Sequence, residues 1–180
     1  MPSVVVAAAA SVGAAILLNA AVAKGVSPAQ LAGALAELVP SMRSLHGTLL
    51  VRFLIVAEVV TAGMLIAAPG HVVTRSLVLI LGIFFVAAGV AGRIRGSVRP
   101  CGCFGRLREG PMGWISIALG SAYVGLWALL LVAPEAREGV ASRSAGCAVA
   151  LLGLALIGAR GDVGRVVRHF GTSSVKVGSL

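Results

Sequence analysis

Long stretches without charged residues are the feature that most limits what this chain can fold into. Residues 3–23 contain no charged side chain, and three further apolar runs cover about residues 48–68, 72–92 and 113–133. At ~1.5 Å per residue, a helix of this length crosses the ~30 Å hydrocarbon core of a bilayer. A chain that is 58% hydrophobic and 12% charged lacks the polar surface that a soluble domain needs. The sequence therefore predicts an all-α, polytopic membrane helical bundle.

The ends of these runs indicate how many helices cross the membrane. No basic segment precedes the first run, so we expect a retained helix rather than a signal peptide, and we expect it to end at Lys24 and Gly25. The sequence Ser27-Pro28-Ala29-Gln30 is typical of a helix start and predicts a short interfacial helix. A fifth apolar run, residues 144–159, is short for a span but is flanked by arginines. Four to five transmembrane helices are therefore expected, with a re-entrant segment as the alternative for this run.

These boundaries divide the chain into three parts. The predicted parts are a four-helix membrane domain at residues 1–135, a fifth membrane helix within residues 136–160, and a basic, partly disordered tail at residues 161–180. The formal net charge of +9 indicates membrane orientation rather than nucleic-acid binding, because the basic residues cluster at the ends of the apolar runs. The expected surroundings are therefore a lipid bilayer.

The side on which each loop lies depends on the fifth run. With five spans, Lys24 lies on the same side as the loop of residues 93–112 and the basic tail, while Arg143 lies on the opposite, less basic side. The positive-inside rule then places this loop in the cytoplasm. With four spans the tail changes sides and the charge bias disappears.

Two of the three cysteines, Cys101 and Cys103, flank one glycine in this loop. A disulfide between them would close a very small ring, and strained, exposed disulfides exchange readily. Five arginines in the same loop favour the nucleophilic thiolate. We therefore predict thiol–disulfide exchange. The alternatives are a soft-metal site, for which His46 and His169 lie on the same side in the five-span topology, and a tight turn with incidental cysteines. Four neighbouring residues complete the expected motif: Pro100, Gly102, Phe104 and Gly105.

A single cysteine pair can only carry electrons between a partner and a second acceptor. No cofactor or metal is assigned from the sequence, and a quinone is one acceptor of suitable chemistry. Glu58 is the second candidate site, because it lies near the middle of the second run, where a carboxylate is costly unless it is neutral or hydrogen-bonded. It is interpreted either as a proton site or polar anchor, or as an interhelical hydrogen bond that fixes packing.

Several of these features together resemble the MauE family, membrane proteins of methylamine utilisation that are related to DoxX-like four-helix bundles. They are the first apolar helix, Leu38-Val39-Pro40, Glu58 with Gly63, and the string from Cys101 to Gly105. The resemblance covers about residues 1–135 and implies a bacterial inner-membrane protein. It further implies a role in disulfide formation or maturation of an exported, cysteine-rich partner such as an amine dehydrogenase subunit, together with a second, thioredoxin-like protein.

Two questions about function stay open. The first is whether a chain that exchanges disulfides acts as a thiol–disulfide oxidoreductase or as an accessory maturation factor. The second is whether the chain is instead a non-enzymatic DoxX-like scaffold or carrier, or a metal-binding membrane protein.

Overall fold

The structure, a computed structural model, describes residues 2–26, 28, 31–33, 45–96, 113–132 and 140–155. Within these residues every regular element is a helix. The main elements are α1 (Pro2–Val26), α2 (Leu45–Ala67), α3 (Val72–Ile94), α4 (Trp114–Val132) and the shorter α5 (Val140–Ala155). Of the described helices, α1 to α4 are long and apolar enough to cross a bilayer. The predicted all-helical membrane bundle is therefore confirmed.

The helices agree with the apolar runs, with one informative difference in α1. This helix includes Lys24 and Gly25 and ends at Val26, and the Lys24 side chain is completely buried. Residues 31–33, within the predicted interfacial helix, are helical, and the remainder of that segment lies largely outside the described residues. Helix α5 has fewer residues than the roughly 20 that a span requires, so the fifth membrane helix stays a prediction.

The four long helices run up and down, so consecutive helices are antiparallel. A short turn joins α2 to α3, and the exposed His71 caps α3 by accepting a hydrogen bond at Nδ1 from the Val73 N–H at 3.3 Å. Thr74 Oγ1 donates to the Ala68 carbonyl at 2.7 Å and fixes the same turn. This arrangement places the C-terminal ends of α1 and α3 at one end of the bundle. The connection from α3 to α4, which contains the cysteine motif, begins at that end.

Helices α3 and α4 pack so closely that their backbones touch. A Cβ atom at Gly120 would lie 2.6 Å from the Gly82 carbonyl oxygen and 2.7 Å from the Val86 nitrogen. A Cβ atom at Gly89 would lie 2.9 Å from the Gly113 carbonyl oxygen. Lipid gives helices no hydrophobic reason to associate, so such contact between small residues supplies the packing energy. These glycines form a seam that fixes α3 against α4.

The first turn of α5 contacts the bundle where α2 ends, opposite the end at which α3 ends. Ser11 Oγ of α1 donates to the Arg143 carbonyl at 3.1 Å. The Arg143 side chain is buried, with Nε donating to the Ile66 carbonyl at 2.7 Å and Nη2 to the Ala67 carbonyl at 3.2 Å. These carbonyls belong to the last turn of α2, where intrahelical donors run out. Cys147, on the same helix, is buried as a small core residue.

Two basic residues that the charge pattern of the sequence predicts at the membrane surface are therefore inside the bundle. Lys24 and Arg143 are 0% and 5% exposed. Each donates to a buried acceptor on α2: the Glu58 carboxylate for Lys24, and two carbonyls of the last turn for Arg143. Because the two residues were assigned to opposite sides, the charge balance between the sides does not change.

Candidate functional site

Four side chains, one from each long helix, meet in the interior and form what we call the central cluster: Lys24, Glu58, Phe85 and Tyr123. Lys24 Nζ donates to Glu58 Oε1 at 2.6 Å, and both side chains are 0% exposed. The same ammonium lies 5.7 Å from the centroid of the Phe85 ring. The Phe85 ring in turn lies 6.3 Å from the Tyr123 ring. The cluster thus combines an ion pair with an aromatic wall.

The depth of each charged residue explains why they pair. Glu58 is near the middle of α2, and its short side chain cannot reach the headgroups. Lys24 lies two residues from the C-terminal end of α1, where a lysine ordinarily extends to the interface. A lone carboxylate at the depth of Glu58 would be strongly unfavourable, so the inward position of Lys24 neutralises it.

Only one of the two oxygens of the Glu58 carboxylate accepts a hydrogen bond from a described residue. Its Oε2 atom is buried and has no hydrogen-bond partner within the described part of the chain. The Thr61 hydroxyl, one turn further along α2, donates to the Ala57 carbonyl at 2.7 Å, and the Tyr123 hydroxyl of the cluster donates to the Gly13 carbonyl at 2.9 Å. A buried carboxylate oxygen without a donor is unusual and costly, so this atom is a candidate contact for a bound group.

The predicted cysteine site lies outside the described residues. This applies to Cys101, Cys103, Pro100, Gly102, Phe104 and Gly105, whose roles stay predictions. The structure does describe both ends of the connection that carries them. At its start, Gly96 adopts the left-handed conformation with φ 61°, which ends α3. The Arg93 guanidinium lies 4.3 Å from the centroid of the Trp114 ring, so the first residue of α4 is held against the last turn of α3.

The sequence predicts a buried polar site at Glu58 but does not identify the partner of this carboxylate. The position of Lys24 directly after an apolar run predicts that it ends α1 at the membrane surface, whereas in the structure its ammonium contacts Glu58. The available signal was the lone carboxylate itself, because a mid-membrane acid calls for a cation within reach. Among the described residues no group of three or more His, Cys, Asp and Glu could hold a metal ion. The histidines of the metal alternative, His46 and His169, lie in α2 without a described side chain and outside the described residues, respectively.

Comparison with known proteins agrees with this architecture. The family described as Methylamine utilisation protein MauE matches residues 1–134, which include α1 to α4 and the cysteine loop and end before α5. No curated protein and no solved structure matches the chain significantly. The family match covers about three quarters of the 180 residues. The chain therefore belongs to the family of methylamine utilisation protein MauE and is a multi-pass membrane protein of that family.

Proposed function

We propose that this MauE-family protein assists disulfide formation in an exported partner through thiol–disulfide exchange at Cys101 and Cys103. The observation that carries the proposal is the place of this pair in the chain. Two cysteines separated by one glycine lie in the connection between α3 and α4, the two helices that the glycine seam fixes together. The contact of Arg93 with the Trp114 ring supports a rigid stem below this connection. A rigid stem would hold the cysteine pair in reach of a partner at the membrane surface.

The exchange balances as a transfer of two electrons and two protons. A partner thiolate attacks the disulfide between Cys101 and Cys103 and forms a mixed disulfide, and a second partner thiol then resolves it. The partner leaves with a new disulfide, and the two cysteines remain as thiols. Their reoxidation requires an acceptor of a second kind, either a thioredoxin-like protein or a membrane quinone. The family resemblance points to an amine dehydrogenase subunit as the partner that receives the disulfide.

The central cluster favours a second candidate function, a non-enzymatic carrier or scaffold of the DoxX-like kind. A buried ion pair with an acceptor that is unsatisfied among the described residues, at the meeting point of four helices, is a polar site within a largely apolar bundle. Such groups inside membrane proteins commonly hold a proton or a small ligand. In this function the cysteines would be dispensable and Glu58 would not.

Thiol trapping in intact cells tests the first proposal. A membrane-impermeant maleimide should label Cys101 and Cys103 only after reduction, because exchange with an exported partner requires an oxidised pair that faces outward. This orientation departs from the charge pattern of five spans and is open to four spans, for which the charges favour neither side. The double variant Cys101→Ser/Cys103→Ser should lose disulfide formation in a cysteine-rich exported protein encoded beside this chain. Cys147→Ser is the matched control and should retain it, because Cys147 is a buried core residue.

Two results would contradict the exchange function. One is a pair that is fully reduced and reacts only after lysis. The other is full maturation of the partner by the double serine variant, which would leave the carrier function. Zinc or copper that co-purifies with the chain and is lost in the same variant would instead indicate the metal alternative.

A further inference from the structure

We infer that the central cluster is a binding site for a small primary alkylammonium ion, a site that Lys24 fills with its own side chain. The end of a lysine side chain is itself a primary ammonium on an alkyl stem. Here it lies 2.6 Å from the Glu58 carboxylate and 5.7 Å from the Phe85 ring centroid. A carboxylate and an aromatic face are the groups with which proteins bind organic ammonium ions. This inference does not depend on the cysteine chemistry.

The lysine that fills the site is able to leave it. Lys24 is followed in α1 only by Gly25 and Val26, both exposed. From this position the side chain can also extend outward, with its ammonium among the headgroups and water. If it moved out alone, Glu58 would remain as an unpaired buried charge, which is strongly destabilising. Replacement by a free ammonium ion keeps the site neutral, so the ligand needs only to compete with the tethered lysine.

The free carboxylate oxygen gives a ligand an advantage over Lys24. Glu58 Oε2 is buried and has no hydrogen-bond partner among the residues that the structure describes. The tethered ammonium of Lys24 reaches only Oε1. An untethered primary ammonium has three N–H donors that it can orient freely, so it can engage both oxygens. A quaternary ammonium has no N–H donor and cannot make either bond, and the closed interior favours a short alkyl chain.

Equilibrium binding of radiolabelled methylammonium to the purified full-length chain in lipid nanodiscs tests the inference. Lys24→Ala removes the internal competitor and vacates the volume that its side chain fills, so this variant should bind methylammonium about tenfold or more tightly than the natural chain. Glu58→Gln removes the charge and should lose binding by about tenfold or more. Glu135→Gln, a carboxylate in the connection after α4, is the matched control and should bind as the natural chain does. Tetramethylammonium should not compete.

Equal binding by the natural chain and Glu58→Gln, or no binding by both the natural chain and Lys24→Ala, would overturn the inference. A second measurement on the same variant covers the case in which Lys24→Ala folds poorly. Methyl- to butylammonium should raise the melting temperature of Lys24→Ala but not of Lys24→Ala/Glu58→Gln, and equal shifts in both would also overturn it. The Cys101→Ser/Cys103→Ser variant should bind methylammonium normally, so failure of the exchange function and failure of this site are distinguishable.

Discussion

Replacing one member of the Lys24–Glu58 pair should destabilise the bundle much more than replacing both. We consider Lys24→Met, Glu58→Gln and the double variant. Both replacements have a shape close to the natural side chain, so the main change is the removal of charge. The pair joins α1 to α2 in a region where both side chains are 0% exposed, so water cannot solvate the partner that remains.

The magnitude follows from the geometry. Unit charges 2.6 Å apart attract each other by about 6 kcal/mol at an effective dielectric constant of about 20. Desolvation costs several kcal/mol for each ion, so the intact pair contributes little net stability. A single replacement loses the attraction but keeps one buried charge, which costs about 3–5 kcal/mol, whereas the double variant should be neutral or more stable. Lys24→Met should lower stability more than Glu58→Gln. It leaves Glu58, which cannot reach the headgroups, whereas Glu58→Gln leaves Lys24, whose side chain can extend to them.

A thiol-reactive fluorogenic maleimide provides the assay. In a Cys101→Ser/Cys103→Ser background the remaining thiol is Cys147, which is 3% exposed and reacts when the bundle opens. A loss of about 3 kcal/mol lowers the melting temperature by about 6–12 °C for a chain of this size. Lys24→Met should show such a shift and the double variant should not. Melting temperatures that fall additively, with the double variant the least stable, would refute the reasoning.

Two further predictions concern contacts between helices, both measured with the same assay. Gly120→Ala places a Cβ atom 2.6 Å from the Gly82 carbonyl oxygen and should cost about 1–3 kcal/mol, whereas Gly125→Ala has no atom within 4 Å and should be neutral or stabilising, so equal effects would contradict the glycine seam. Tyr123→Phe removes the hydrogen bond to the Gly13 carbonyl and should cost about 0.5–1.5 kcal/mol, and an unchanged melting temperature would show that this bond adds nothing.

The positions of the membrane helices could be predicted because hydrophobic length is a local property of the chain. The runs that begin near Ser3, Thr48, Val72 and Gly113 each correspond to a helix in the structure. The cysteine motif was equally visible, since two of three cysteines are one residue apart. Bounds of α5 were harder to predict, because its first turn contains Arg143, a residue that signals a helix end until its buried acceptors are known.

The sequence by itself determined that this chain crosses a membrane as helices, and that Glu58 must face other helices, because lipid offers a carboxylate neither water nor a donor. Only the tertiary structure decided which group neutralises it. Lys24 is 34 residues away in the chain and, judged locally, belongs at the surface. Its inward position depends on how α1 is rotated and how close it lies to α2 and α3. Those quantities are set by contacts between side chains far apart in sequence, and no local pattern encodes them.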